Sequence, residues 1–484
     1  MERSPRQASG ERGALGGGSG SDREQRLRAR AERAGQRHLL ADWDRLDPAG
    51  RERLLAELES LDFELVERLA ELARGGAAPV APARIEPPEL FPLRRGAEGE
   101  RRAREALEAG ETLLRAAQVG FLLVAGGQAS RLGLDGPKGA LPVGPVSGWS
   151  LFEIHARRLR AAGRRYGVAT PWYVMTSRDN DGPTRRFFAE QAYFGLAPQD
   201  VRFFTQAMVP AMDFEGRILM RAPDALFLAP NGHGGVLAAF ADSSSLADAR
   251  GRGLEQLSYL QVDNPLAPPA DPLFLGLHLL ASAGMSSKVV AKRDPLEKVG
   301  VLGRVDGRLA CIEYSDLPEE LRDAREPSGE LTFRAGNIAI HALEMGFVGR
   351  LTRGGLDLPW HVARKRMKAY EDGRVVEREG LKFETFVFDA LGRSPSSVVL
   401  EVERAREFSP LKNARGEDSL ETAQADLSRL HASWVAAAGR PLPPPGAGGV
   451  PPVEVDPLLA QDQASFAALG PIEPRITERG WLYT

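Results

Sequence analysis

The sequence predicts an α/β fold: a Rossmann-like, mainly parallel central sheet flanked by helices, with an N-terminal helical unit and a small C-terminal α+β unit. Three observations lead there. Short apolar runs recur at 120–125, 172–176, 201–206, 257–262 and 288–291, each of a length that suits a buried strand. Helix-compatible stretches such as 150–162 and 183–193 separate several of them, and this alternation builds a parallel sheet covered by helices. Gly126-Gly127 closes the first run, at the carboxyl end of a strand, where open sheets of this kind bind ligands.

Taken in order, residues 1–30 read as a disordered tail, because the start is glycine-rich through 16–21 and offers almost no large apolar side chain. Arginines crowd 23–37, but Asp22, Glu24 and Glu32 interleave with them, as on a solvated helix rather than a targeting segment. Residues 31–115 form an N-terminal helical region and linker. Leu39, Leu46, Leu54, Leu55, Leu58, Leu61, Leu65 and Leu69 recur at helical spacing, and Asp47-Pro48 is a helix start. A proline-rich connector runs over 77–92, and 100–117 is helical. The catalytic domain is expected over 116–405. Within it, Asp306-Gly307 lies between two short apolar runs and predicts a hairpin. A C-terminal domain over 406–484 holds a helix near 423–437, a loop at 441–449 and a short apolar tail.

Composition narrows the function classes. With 43% hydrophobic and 27% charged residues the chain is an ordinary globular one, not fibrous or wholly disordered. Its formal net charge of −3 gives no reason to expect nucleic acid or anionic lipid as a partner. Cys311 is the only cysteine, so an internal disulfide and a Cys-rich zinc site are excluded; a cytoplasmic location follows as the expectation. No apolar run is long enough for a spanning helix, so neither membrane insertion nor export is expected.

The chemistry centres on Leu123-Val-Ala-Gly-Gly-Gln-Ala-Ser-Arg-Leu-Gly133, followed by Gly136-Pro-Lys-Gly139. Paired glycines let a nucleotide approach the backbone, whose N–H groups can cradle phosphate oxygens. Arg131 and Lys138 add positive charge where a triphosphate needs it. The pattern is neither the Rossmann G-x-G-x-x-G nor a Walker A loop, which removes support for hydride transfer and ordinary ATPase chemistry.

This loop resembles the L-x-A-G-G-Q-G-T-R-L-G…P-K-G signature of the UDP-sugar pyrophosphorylase family, especially the eukaryotic-type UDP-N-acetylglucosamine pyrophosphorylases, with Ala129 and Ser130 in place of glycine and threonine. The similarity continues in order through Pro171-Trp-Tyr-Val-Met-Thr-Ser177, Val209-Pro-Ala-Met212, Ala229-Pro-Asn-Gly-His-Gly-Gly235, Gln261-Val-Asp-Asn264, Glu313-Tyr-Ser315, Ala335-Gly-Asn337, Gly380-Leu-Lys-Phe-Glu-Thr-Phe-Val-Phe-Asp389 and Phe408-Ser-Pro-Leu-Lys-Asn413. It implies a GT-A-like nucleotidyltransferase sheet and a uridylyltransferase that joins a sugar 1-phosphate to UTP, releasing pyrophosphate and a UDP-sugar.

The resemblance also implies roles. Leu123, Ala125, Gly126 and Gly127 lie against uracil and ribose, with Gln206 and Gly232 completing recognition of the base. Lys138 and Lys382 hold the triphosphate, Lys412 meets the sugar phosphate, and Arg131 stabilises charge on the pyrophosphate side. Asp263 binds Mg²⁺ near the α-phosphate. Glu313 and Asn337 bind sugar hydroxyls, and His233 lines the sugar pocket. His233 stands where the acetylglucosamine enzymes typically carry asparagine, and Gly-His-Gly is similar to the UDP-glucose and broad-specificity enzymes. N-acetylglucosamine 1-phosphate is the expected substrate, with glucose 1-phosphate or several sugar phosphates as the alternative. Two further classes remain open. A glycosyltransferase would normally show an Asp-x-Asp metal motif, for which no convincing match stands in place of Asp263; a non-catalytic UDP-sugar binder would not need Arg131, Lys138, Lys382 and Lys412 together.

Overall fold

The computed structural model describes residues 20–75, 84–129, 133, 136–446 and 448–484. The chain forms two compact units: one holds 1–79, 209–229 and 362–383, the other 80–208, 230–361 and 384–484. The boundaries expected at 116 and 405 therefore do not coincide with those of the compact units.

The larger unit is built on a ten-stranded sheet. Four strands, Gln256–Gln261, Val119–Val124, Trp172–Thr176 and Val201–Thr205, lie side by side in that order and all parallel. They are the apolar runs read from the sequence, and their alternate faces enter two separate apolar cores. Phe121, Leu123, Trp172 and Val174 face one; Leu122, Tyr173, Met175 and Tyr259 face the other. Burying each such side chain contributes roughly 1.5–3 kcal/mol before the entropy of ordering it. The sheet then turns antiparallel: Ala335–Glu344 runs against Gln256–Gln261 and also against Met285–Ala291. The predicted hairpin is present as Val301–Val305 and Arg308–Ile312, turning at Asp306 and Gly307 with φ of 49° and 81°, the left-handed pair that two-residue hairpins favour.

Helices cover this sheet closely. Leu151–Tyr166 starts at Ser150, whose hydroxyl accepts from the Glu153 N–H at 3.1 Å, and stops at Gly167 in the left-handed conformation. Ala97–Arg115 crosses Pro272–Leu280 at Gly110 and Gly276, where a Cβ would come within 1.8 Å of the Pro272 carbonyl and 1.7 Å of the Ala106 carbonyl. At the C-terminus, the helix Leu420–Ala437 packs beside a three-stranded sheet of Val453–Val455, Gly480–Tyr483 and Arg475–Thr477. Trp434, Phe466 and Tyr483 belong to the same core as Phe121 and Leu123, so this segment is part of the larger unit.

In the smaller unit the helix Gly20–Arg33 begins inside the stretch expected as a tail. Leu27 and Ala31 are buried, and Arg23 pairs with Glu52 and Glu59 of the following helix, Pro48–Glu59. Residues 1–19 lie outside the described residues. Asp47 caps Pro48–Glu59, its carboxylate accepting from the Gly50 N–H. A four-stranded sheet includes most of the long strands His361–Glu371 and Arg374–Glu384. Buried Gln36 joins helices to sheet segment, donating to the Gly216 carbonyl at 2.9 Å and accepting from the Ile218 N–H at 2.8 Å. Among the described residues no helix is long and apolar enough to cross a membrane.

Candidate active site

At the carboxyl end of Val119–Val124 the chain leaves the sheet through Ala125, Gly126 and Gly127. Leu123 and Ala125 are buried, and the Ala125 N–H bonds the Met175 carbonyl at 2.8 Å. The turn is held from beneath by fully buried Asn180, whose amide donates to the carbonyls of Ala125 at 2.9 Å and Gly127 at 3.3 Å while its oxygen accepts from the Ser177 N–H. Sequence reasoning passed over Asn180. Its only signal is an asparagine opening the helix Asp181–Glu190. A Cβ at Gly127 would meet nothing within 4 Å, so the backbone there is open to a ligand.

Lys138 returns to this turn, its N–H donating to the Gly127 carbonyl at 3.1 Å. Its ammonium lies 3.4 Å from the Asp263 carboxylate, both side chains less than one-fifth exposed. Asp263 follows directly on the neighbouring parallel strand. The two sequence-predicted groups thus meet at the carboxyl ends of adjacent strands. Arg131 lies outside the described residues. Lys382 belongs to the smaller unit, where its ammonium stands 5.8 Å from the centre of the Phe227 ring.

Gln206 and Gly232 are also brought together. The Gln206 amide donates to the Gly232 carbonyl at 2.5 Å and to Asn231 Oδ1 at 3.1 Å, while its oxygen faces Gly126. Gly232 has φ of 80°, and a Cβ there would lie 2.3 Å from the Thr385 carbonyl oxygen; only glycine fits. His233 follows. Its Nδ1 accepts from the Val387 N–H at 3.2 Å, and its ring stacks on Phe386 at 5.2 Å and meets Phe388 edge-on at 5.4 Å. Burial, then the neighbouring His361, pushes its pKa down to about 4. The imidazole is therefore neutral at pH 7, with its proton on Nε2.

Phe386 is flanked a second time, by His361 at 4.4 Å, and His361 Nε2 bonds Asp389 at 2.8 Å. Burial opposes protonation of His361, but the Asp389 carboxylate outweighs it and holds the pKa above the ordinary value. Glu313 lies within electrostatic reach of this pair: burial pushes its carboxyl above the usual range, Asp316 adds to the rise, and His361 and Lys412 oppose it. Asn337 donates weakly to Cys311 Sγ at 3.6 Å and accepts from the Ala339 N–H at 3.0 Å. Lys412 is half exposed, 3.9 Å from Asp418. Phe386, Phe388, His361 and Asp389 were not singled out from sequence, although three of them lie in the quoted 380–389 stretch. Their signal is the alternating aromatic pattern Phe386-Val387-Phe388.

This arrangement offers an open backbone turn with a lysine and a carboxylate at one end, and an aromatic, hydrogen-bonded cluster at the other. The chain as a whole is similar to known proteins. The human UDP-N-acetylhexosamine pyrophosphorylase-like protein 1 is 39% identical over 440 residues, covering 86% of each chain. Arabidopsis thaliana UDP-N-acetylglucosamine diphosphorylase 2 is 36% identical over 437 residues, 86% of this chain and 85% of its own. The crystal structure of the uridine diphosphate N-acetylglucosamine pyrophosphorylase from Trypanosoma brucei in complex with an inhibitor superposes with a TM-score of 0.79 at 26% identity, over 94% of this chain and 95% of that one. The model of the UTP--glucose-1-phosphate uridylyltransferase family matches residues 92–438, and the chain belongs to that family.

Proposed function

We propose that this chain is a uridylyltransferase that joins N-acetylglucosamine 1-phosphate to UTP, forming UDP-N-acetylglucosamine and pyrophosphate. The observation that carries the reading is the meeting of Lys138 and Asp263 directly beside the Gly126–Gly127 turn. Relatives named for this sugar support its choice.

A phosphate oxygen of the sugar phosphate attacks the α-phosphorus of UTP; the bond to the β-phosphate oxygen breaks and pyrophosphate leaves opposite. The attacking oxygen is already deprotonated at neutral pH, so no general base is required. The protein's task is to bring two anions together and offset their charge. In this reading Leu123, Ala125, Gly126 and Gly127 receive the uridine, and Gln206 and Gly232 close the base edge. Lys138, Lys382 and Arg131 neutralise the triphosphate, and Lys412 the sugar phosphate. Glu313, Asn337 and the Nε2–H of His233 meet the sugar.

Asp263 is the carboxylate available for a metal. Among the described residues no group of three or more His, Cys, Asp or Glu gathers into a metal cage. Mg²⁺ characteristically takes one or two carboxylates and completes its shell with substrate phosphates and water, so a lone Asp263 beside the phosphate loop fits it. When bound there, Mg²⁺ supplies charge neutralisation at the phosphates.

The test is release of pyrophosphate from UTP against a panel of sugar 1-phosphates. The highest kcat/KM is expected with N-acetylglucosamine 1-phosphate. Preference for glucose 1-phosphate would favour the second reading, which His233 motivates; no release with any sugar would remove the transfer activity.

A further inference from the structure

Lys288 lies in the strand Met285–Ala291, and its side chain is wholly buried, an expensive place for a charge. Two carboxylates hold it: Asp271 at 2.5 Å and Glu407 at 2.6 Å. Asp271 is itself tied down as the cap of the helix Pro272–Leu280, accepting from the Leu273 and Phe274 N–H groups. Burial opposes the Lys288 charge, but the two carboxylates outweigh it and raise its pKa. None of the three is assigned a contact with substrate. Buried ion clusters are weak evidence for stability, since apolar replacements are often as stable, and this one has a second consequence.

Glu407 leads to it. Its backbone carbonyl accepts from the Asn264 side-chain amide at 2.7 Å, and the Asn264 oxygen accepts from the Ser409 N–H at 3.1 Å. Asn264 is buried and immediately follows Asp263. Two residues on, the Leu411 N–H donates to the Asp263 carbonyl at 2.9 Å, and Lys412 comes next. The segment 407–411 is thus a strap laced to Asp263-Asn264 at three points, with Glu407 anchored to Lys288 at one end and Lys412 carried at the other. The Ser409 hydroxyl adds a bond to Asp426 at 2.7 Å.

We propose that Glu407 and Lys288 are positioning residues for the transfer: their ion pair sets the strap, laced to Asp263 and Asn264, that carries Lys412. The inference rests on the assignment of Lys412 and Asp263 to the site made above. Side-chain placement errors well under the length of a bond to substrate are costly in such reactions, so anchoring Lys412 through a largely buried charge cluster has a catalytic consequence that stability alone does not require.

The experiment uses the full chain with Glu407→Gln, Lys412→Ala and the double variant. Steady-state kinetics with N-acetylglucosamine 1-phosphate and UTP are combined with melting curves and hydrogen exchange of the peptide spanning 405–413. Glu407→Gln is expected to raise KM for the sugar 1-phosphate about tenfold with KM for UTP within about twofold, and to speed exchange at the Leu411 amide. In the Lys412→Ala background it should add less than about twofold, because the strap then carries nothing to position. If Glu407→Gln does not fold, Asn264→Ala cuts the same lacing with the ion cluster intact and should give the same pattern. A lower melting temperature with unchanged kinetics, or an undiminished effect on top of Lys412→Ala, would overturn the inference while Lys412 keeps its role. Wild-type kinetics in Lys412→Ala alone would remove Lys412 from the site, a separate failure that takes the inference with it.

Discussion

In the proposed function the two ends of the site face opposite problems. At the phosphate end, from Gly126 to Asp263, contacts come from open backbone and from charged tips on short loops after parallel strands. At the sugar end, His233 is buried against Phe386 and Phe388, its Nδ1 already engaged, its pKa pushed down to about 4. In this reading one end presents charge to a polyanion that brings its own; the other sets a neutral imidazole among aromatic rings and selects by shape and unpaired donors. The difference teaches where each kind of specificity resides. Rate should depend on the phosphate end and sugar choice on the aromatic end, and substitutions can be ranked by which they disturb.

The largest effect is expected at Lys138. Lys138→Ala removes the ammonium that pairs with Asp263 and meets the approaching phosphates, so kcat should fall by about a hundredfold or more. Circular dichroism should stay near wild type and the melting temperature should fall by a few degrees at most, because the pair, though largely buried, is a long contact at 3.4 Å and lies outside the apolar cores. A folded variant with near-normal kinetics would remove Lys138 from the phosphate end. Asp263→Asn comes next. The amide keeps the shape and loses the anion, so a titration should need roughly tenfold more Mg²⁺ for half-maximal rate. Full activity in excess chelator, or an unchanged requirement in the variant, would reject that assignment.

The same contrast explains what was legible in the sequence. The Gly126–Gly127 turn and the Lys138–Asp263 pair beside it were legible, because glycines and cations cluster within one continuous stretch and buried parallel strands announce themselves as apolar runs, whereas Arg131 lies outside the described residues and Lys382 belongs to the smaller unit. Asn180 escaped, since it acts on the turn by bonding two carbonyls from a different strand's loop. The aromatic end was read in part: His233 was visible as a departure from a motif, whereas His361 and Asp389 join across 28 residues and have no local pattern. In the smaller unit, Asp372-Gly373 carries the same hairpin signal as Asp306-Gly307, with φ of 50° and 82°. The strands beside it are rich in charged residues and only partly buried, so no clean apolar alternation marks them. The union of 1–79 with 209–229 and 362–383 rests on contacts distant in the chain, such as Gln36 with Gly216, which periodicity cannot express.

A smaller, sharper effect is expected at His233. Asparagine there removes the stack on Phe386 and repositions the donor facing the sugar. The ratio of kcat/KM for N-acetylglucosamine 1-phosphate over glucose 1-phosphate should shift several-fold toward the acetylated sugar, roughly 1 kcal/mol. KM for UTP should hardly change. Equal loss with both sugars, or weakened UTP binding alone, would place His233 outside sugar selection.

The smallest effect concerns pH. His361 is protonated more readily in the folded chain than free, because the Asp389 carboxylate outweighs the cost of burial. A raised folded pKa means that the folded state holds the proton longer than the unfolded chain does. Its contribution to stability is therefore fully present below the ordinary histidine pKa of about 6.5 and is lost as pH rises through the folded value. Asp389→Asn keeps a hydrogen-bonding partner of the same shape and removes the charge that raises the pKa. Melting temperatures of wild type and variant should differ most at acid pH, near 6, and converge by about pH 8, with a gap of a few degrees at most because His361 is partly exposed. Because the imidazolium faces Phe386, the KM for the sugar 1-phosphate should follow the same window in the wild type and flatten in the variant, while the KM for UTP keeps its pH profile in both. A melting gap that is constant from pH 6 to 8 would mean that the pair acts through shape alone, and the aromatic end would then contain no titrating group that matters.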